Sequence, residues 1–156
     1  MTAPNTPVSA PRMPRVALAL SLAGVLPFAA ALAMLWFGPA RFHTATLAAM
    51  ATWSAVVLSF LGGIQWGTGL AVQEAAPQSA QSLFLLSVVP VLLGWAMLFI
   101  ESPGARLLIA VFLFAFVWLI DALLRLQKLL PPWFFRLRSI VTPIVIACLL
   151  AALLTL

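Results

Sequence analysis

The stretch FHTATLAAMATWSAVVLSFLGGIQWGTGLAVQ, residues 42–73, contains no Asp, Glu, Lys or Arg. A spanning helix needs about 20 predominantly apolar residues, so this run crosses a bilayer with residues to spare. Working outward, charge is equally absent from 16–40, 75–100 and 139–156. A fifth apolar run, 103–124, carries only Arg106 near its start and Asp121 near its end. A long basic side chain at such a place snorkels to the interface. These runs predict helices at 16–37, 44–71, 82–100, 104–124 and 139–156. Backbone groups in hydrocarbon must be satisfied within the segment, and the period-2 alternation of a membrane barrel is missing, so helices are preferred to strands.

Composition supports the same class. Of 156 residues, 65% are hydrophobic and 7% charged, where an ordinary soluble domain has roughly 45–50% and 25%. A mean hydropathy of +1.18 leaves too few polar residues to cover a core in water. The expected fold is therefore all-α, an integral membrane bundle of five transmembrane helices. The net charge of +5 arises from a scarcity of acids, and no basic tract is dense enough to suggest nucleic acid. With one cysteine, Cys148, and one histidine, His43, neither an intrachain disulfide nor a metal motif is expected, and no cofactor. A His-Glu cluster, a Ser/His/Asp set and a phosphate-binding glycine loop are all missing, which argues against an enzyme.

Residues 1–15 contain Pro4, Pro7, Pro11 and Pro14 among small polar residues, the composition of a disordered proline-rich tail ahead of a membrane domain at 16–156. The apolar run that follows exceeds the ~7–15 residues of a signal-peptide core, so it is read as a retained first span. Arg12, Arg15, Arg125, Lys128, Arg136 and Arg138 fall on the side of the N-terminus, against Arg41 and Arg106 on the other. Basic residues mark the inner face, which places the N-terminus inside and the C-terminus outside.

Within span two, Ala51, Ala55, Ser59, Gly63, Gly67 and Ala71 recur every fourth residue. At 100° per residue this is one slowly drifting stripe of small side chains, where another helix can approach closely, from the same protomer or from a second copy. SFLGGIQWG, residues 59–67, sets Gly62 and Gly63 beside Gln65 and Trp66. Paired glycines lower helix propensity and predict a kink or break there. The Gln65 amide is expected to bond a neighbouring helix, or, at an unwound turn, a polar solute. Pro27, Pro90 and Pro143 should bend spans one, three and five. Asp121, four residues before Arg125, suits a local ion pair on one helix near the inner interface. The connection RLQKLLPPWFFRLR, residues 125–138, alternates Arg125, Lys128, Arg136 and Arg138 with apolar residues, and Pro131-Pro132 argue against a continuous helix. It is expected at the headgroup level with Trp133, Phe134 and Phe135 dipped inward and membrane lipid, anionic lipid in particular, as neighbour.

GVLPF at 24–28, LSFLGGIQWG at 58–67, VVPVLLGWAML at 88–98 and PPWFFRLRSIVT at 131–142, taken together and in this order, resemble domain-of-unknown-function family 3429, the transmembrane protein 69-like small multi-pass membrane proteins. The glycine-rich second segment is the specific element. The family's fourth segment has Tyr after Trp where this chain has Phe134, so no role for that hydroxyl carries over. The resemblance implies a multi-pass membrane protein and supplies no reaction, substrate or active-site residue. The residues themselves favour a non-enzymatic helix-packing partner or scaffold, as a homo-oligomer or in a larger membrane complex. The candidate packing residues are Ser59, Gly62, Gly63, Gln65, Trp66 and Gly67. The alternative is a small transporter or channel for a polar or ionic solute, with Gln65, Asp121 and Arg125 lining its path. An Ala-rich, Lys-poor chain suggests a bacterial inner membrane, with the mitochondrial inner membrane as the alternative.

Overall fold

A computed structural model describes residues 13–156; the greater part of the expected proline-rich tail, with Arg12, lies outside them. Among the described residues five segments are long and apolar enough to cross a membrane. The first is divided into α1 (Arg15–Ala23) and α2 (Leu26–Phe37). The others are α3 (His43–Val72), α4 (Pro77–Ala96), α5 (Pro103–Leu126) and α6 (Pro132–Leu153).

α3 packs on α2, α4 and α5, while α6 packs on α5, α2 and α1. Thus α2, α3, α5 and α6 close a four-helix ring, and α4 lies outside it against α3 and α5. The ring is filled by one apolar cluster that includes Leu47, Met50, Leu58, Leu107, Leu113 and Leu149. At its centre Phe28 and Phe114 meet edge to face, with ring centroids 6.1 Å apart, the arrangement favoured by the aromatic quadrupole. Lipid tails are as apolar as leucine, so close contact and interhelical hydrogen bonds hold the helices together. Contact is closest between α3 and α4. A Cβ on Gly62 would come within 2.5 Å of the Ser87 carbonyl oxygen, and one on Gly69 within 2.9 Å of the Phe84 ring.

Three expectations are corrected. α3 is continuous through Gly62 and Gly63: Gly62 is held by α4 packed against it, and propensity is a weak prior beside such contacts. Span three begins at Pro77 rather than 82, and span five at Pro132 rather than 139. In both cases proline stands in the first turn, where its missing N–H would have lacked a partner anyway and its fixed φ suits a helix. Pro131-Pro132 therefore start a helix instead of separating a headgroup-level segment from one, and Trp133, Phe134 and Phe135 belong to its first turn. Pro90 and Pro143 are contained within unbroken helices, whereas the segment with Pro27 does break, at Gly24-Val25. There the Trp53 indole N–H donates to the Gly24 carbonyl at 3.1 Å and ties the break to α3.

α5 ends by a different device. Leu129 N–H donates to Leu124 O and Lys128 N–H to Arg125 O, while Lys128 takes φ = 61°. This is the Schellman arrangement with lysine in the left-handed position usually held by glycine, and Leu129 packs by the buried Leu124 as the motif requires.

Candidate functional site

Four of the buried polar side chains, Gln65, Asp121, Arg138 and Thr142, lie toward one end of the bundle, whereas Ser54 and Ser87 bond within their own helices. Asp121 continues the inward face of α5 set by Phe114 and Val117, and is only 3% exposed. Its partner comes from α6: Arg138 Nε donates to Asp121 Oδ2 at 2.9 Å, and Arg138 is 7% exposed. The expected pair with Arg125, one turn further along α5, is not formed. Among the described residues Asp121–Arg138 is the single ion pair, and Arg125 is half-buried outside it. The reason is the helix start at Pro132, which carries Arg138 about two turns into the bundle and makes it the nearest guanidinium.

Gln65 approaches the same carboxylate from α3. It is 1% exposed, and both amide atoms lack a hydrogen-bond partner. Arg138 Nη2 and Thr142 Oγ1, one turn further along α6, are likewise buried and unpartnered. Thr142 was not singled out by sequence; its spacing of four from Arg138 is the signal that marks it. Beside this cluster the Trp118 indole N–H donates to Ser139 Oγ at 3.1 Å, joining α5 to α6. The Asp121–Arg138 pair fixes the register of two helices, and the leftover donors and acceptors from Gln65 and Arg138 surround it. No three of His, Cys, Asp and Glu come together among the described residues, so no side-chain set there suits a metal.

The small-residue stripe of α3 is divided. Ala51 and Ala55 are buried, whereas Ser59, Gly63, Gly67 and Ala71 are exposed. Added Cβ atoms at Gly63 and Gly67 would meet nothing within 4 Å. Gly62, on the neighbouring face, receives α4 instead. Trp66 is exposed and stacks at a tilt on Phe84, centroids 4.9 Å apart. Ser59, Gly62, Gly63 and Trp66, with Val88 and Val91 of α4, line an outward groove of about 260 Å³. Of the residues expected at the interface, Lys128 and Arg136 are exposed at the α5–α6 end, and Trp133 is half-buried against the Phe134 ring.

A family model described as "Protein of unknown function (DUF3429)" matches residues 13–154. The chain belongs to that family. The match takes in the helices, the buried pair and the exposed stripe, so the four quoted segments did identify the family. Transmembrane protein 69 of Xenopus tropicalis is 32% identical over 142 residues, covering 90% of this chain and 54% of the relative. The chain thus spans about half the length of the curated relative it matches. No solved structure matches.

Proposed function

We propose that this multi-pass membrane protein is a non-enzymatic assembly partner that binds a second helix, from another copy or a larger membrane complex, along the exposed face Ser59–Gly63–Gly67–Ala71. One observation carries the reading: at Gly63 and Gly67 the helix backbone lies open with no neighbour within Cβ contact. Small-xxx-small faces let helix backbones approach closely, and van der Waals contact is what associates helices in lipid. The remaining surface positions the protein. The start of α1, the α3–α4 turn and the α5–α6 turn share one end, with Arg15, Lys128 and Arg136 exposed there; that end faces inward by the basic-residue rule and meets anionic lipid. The membrane is the bacterial inner membrane in this reading. Cross-linking in membranes, followed by mass spectrometry, tests it. Wild type should yield a defined partner that is lost in the Gly63→Leu/Gly67→Leu variant, and an unchanged set of partners rejects the proposal.

A second reading is favoured by the approach of Gln65 to Asp121. Both were expected to line a solute path, and Arg138 takes the place foreseen for Arg125. In that case proteoliposomes should show flux of an ion or small polar solute that Asp121→Asn abolishes. Flux that persists unchanged in the variant removes Asp121 from any path.

A further inference from the structure

The break at Gly24-Val25 has a spatial consequence. α1 contains no buried residue and rests on α6, leaving a groove of about 300 Å³ between α1, α3 and α6. The deeper walls are apolar: Phe28, Val57, Leu61, Val141 and Val145. Trp53 is also part of the wall, and its indole N–H is already engaged with Gly24 O. Polar side chains enter at one level only, where Ser21 and Arg138 line the groove. Ser21 lies six residues beyond Arg15 and Arg138 six beyond Pro132. At 1.5 Å per residue both are about 9 Å inside their helix ends.

Arg138 is more than nine-tenths buried yet lines the groove, and of its guanidinium only Nε is hydrogen-bonded, to Asp121. Its charge is already matched by Asp121. A group added here must therefore supply an acceptor, and a neutral carbonyl does so without introducing a second anion. Above this level the surface is net basic, with Arg15, Lys128 and Arg136 exposed at the same end against Glu74 in the α3–α4 turn; below it the groove is hydrocarbon-like. The succession of cations, hydrogen-bond donors and apolar wall along the groove matches phosphate, ester carbonyl and acyl chain in one leaflet.

We propose that the α1–α3–α6 groove holds an acyl chain of one phospholipid from the leaflet at the basic end, with an ester carbonyl received by Arg138 and Ser21. Basic residues at that surface favour an acidic headgroup over a zwitterionic one. None of Ser59, Gly63, Gly67 and Ala71 lines the groove, so the site stands or falls independently of the assembly face.

The test uses the full chain reconstituted in vesicles of phosphatidylethanolamine and phosphatidylglycerol at three to one, transferred to mild detergent and measured by native mass spectrometry. Wild type should retain one phospholipid per chain, with phosphatidylglycerol enriched above its share of the bilayer. Ser21→Phe, placed on a helix with no buried residue, and Val57→Trp, which fills the groove, should each lower occupancy at least tenfold. Leu85→Trp, on the exposed face of α4, should not alter it. The Ser21 variant keeps the test decisive if Val57→Trp fails to fold. Complete loss of lipid from wild type, equal retention in wild type and Ser21→Phe, or a second polypeptide displaced by Ser21→Phe in place of lipid would overturn the proposal.

Discussion

Asp121 on α5 and Arg138 on α6 form a 2.9 Å ion pair that both helices bury almost completely. Charges are expensive in such a setting, and removing one member strands the other, typically at a cost of about 3–5 kcal/mol. Asp121→Ala and Arg138→Ala should each destabilise the bundle by that order. The double variant Asp121→Leu/Arg138→Met should recover most of the loss, because an apolar pair of similar volume needs no compensation. Denaturation in mixed micelles, read by circular dichroism, supplies the cycle; single variants within about 1 kcal/mol of wild type would show that the pair holds nothing together.

The identity of this partner also shows what was legible in the sequence. Five spans could be read because each apolar run comes to about the length a bilayer requires and charge or proline marks the boundaries between them. Asp121 was read with Arg125 because spacing along one helix is visible in a sequence and the approach of another helix is not. Its inward direction was not legible either, because the run around it is apolar on every face; the structure places it with Phe114, Val117 and Leu124, spaced at three or four residues and all buried. The sequence places Arg138 at the interface because Pro131-Pro132 argue against a continuous helix, whereas proline in a first turn is also a start. Gln65 stands out in the sequence as a polar group inside span two, and the structure buries it, but its neighbours are not readable from one chain.

Lys128 at φ = 61° occupies a backbone region that costs a side-chain-bearing residue about 1–2 kcal/mol. Lys128→Gly should therefore stabilise the α5–α6 turn by roughly 1 kcal/mol, part of the relief being offset by the greater freedom of glycine in the unfolded chain. Lys128→Val should destabilise it. Thermal unfolding of the two variants in one detergent gives the sign directly, and a lower midpoint for the glycine variant would contradict the Schellman reading.

Trp53 ties the broken first span to α3 through one hydrogen bond to Gly24 O. Interhelical side-chain hydrogen bonds in membrane proteins average about 0.6 kcal/mol. Trp53→Phe keeps an aromatic ring and removes the donor, so a loss of about that size is expected, with faster amide exchange at 24–28. Unaltered exchange there would place the stability of the break elsewhere, in the packing of Phe28.

Gly62 and Gly63 are adjacent in sequence and opposite in consequence. A methyl group at Gly62 meets the Ser87 backbone oxygen at 2.5 Å, and backbone cannot rotate away as a side chain does, so α4 itself must shift. Overpacking of this kind costs about 1–3 kcal/mol, and Gly62→Ala should weaken the α3–α4 contact by that amount. At Gly63 the same methyl enters open space, and exchange of glycine for alanine within a helix is favourable by up to about 1 kcal/mol. Gly63→Ala should leave the isolated protomer as stable as wild type or more so. The larger Gly63→Leu should also spare the protomer while removing association along the exposed face. Unfolding measurements on the monomer combined with cross-linking in membranes separate the two glycines. Equal destabilisation by Gly62→Ala and Gly63→Ala would mean that both faces of α3 are filled within one protomer, leaving no open stripe for a partner.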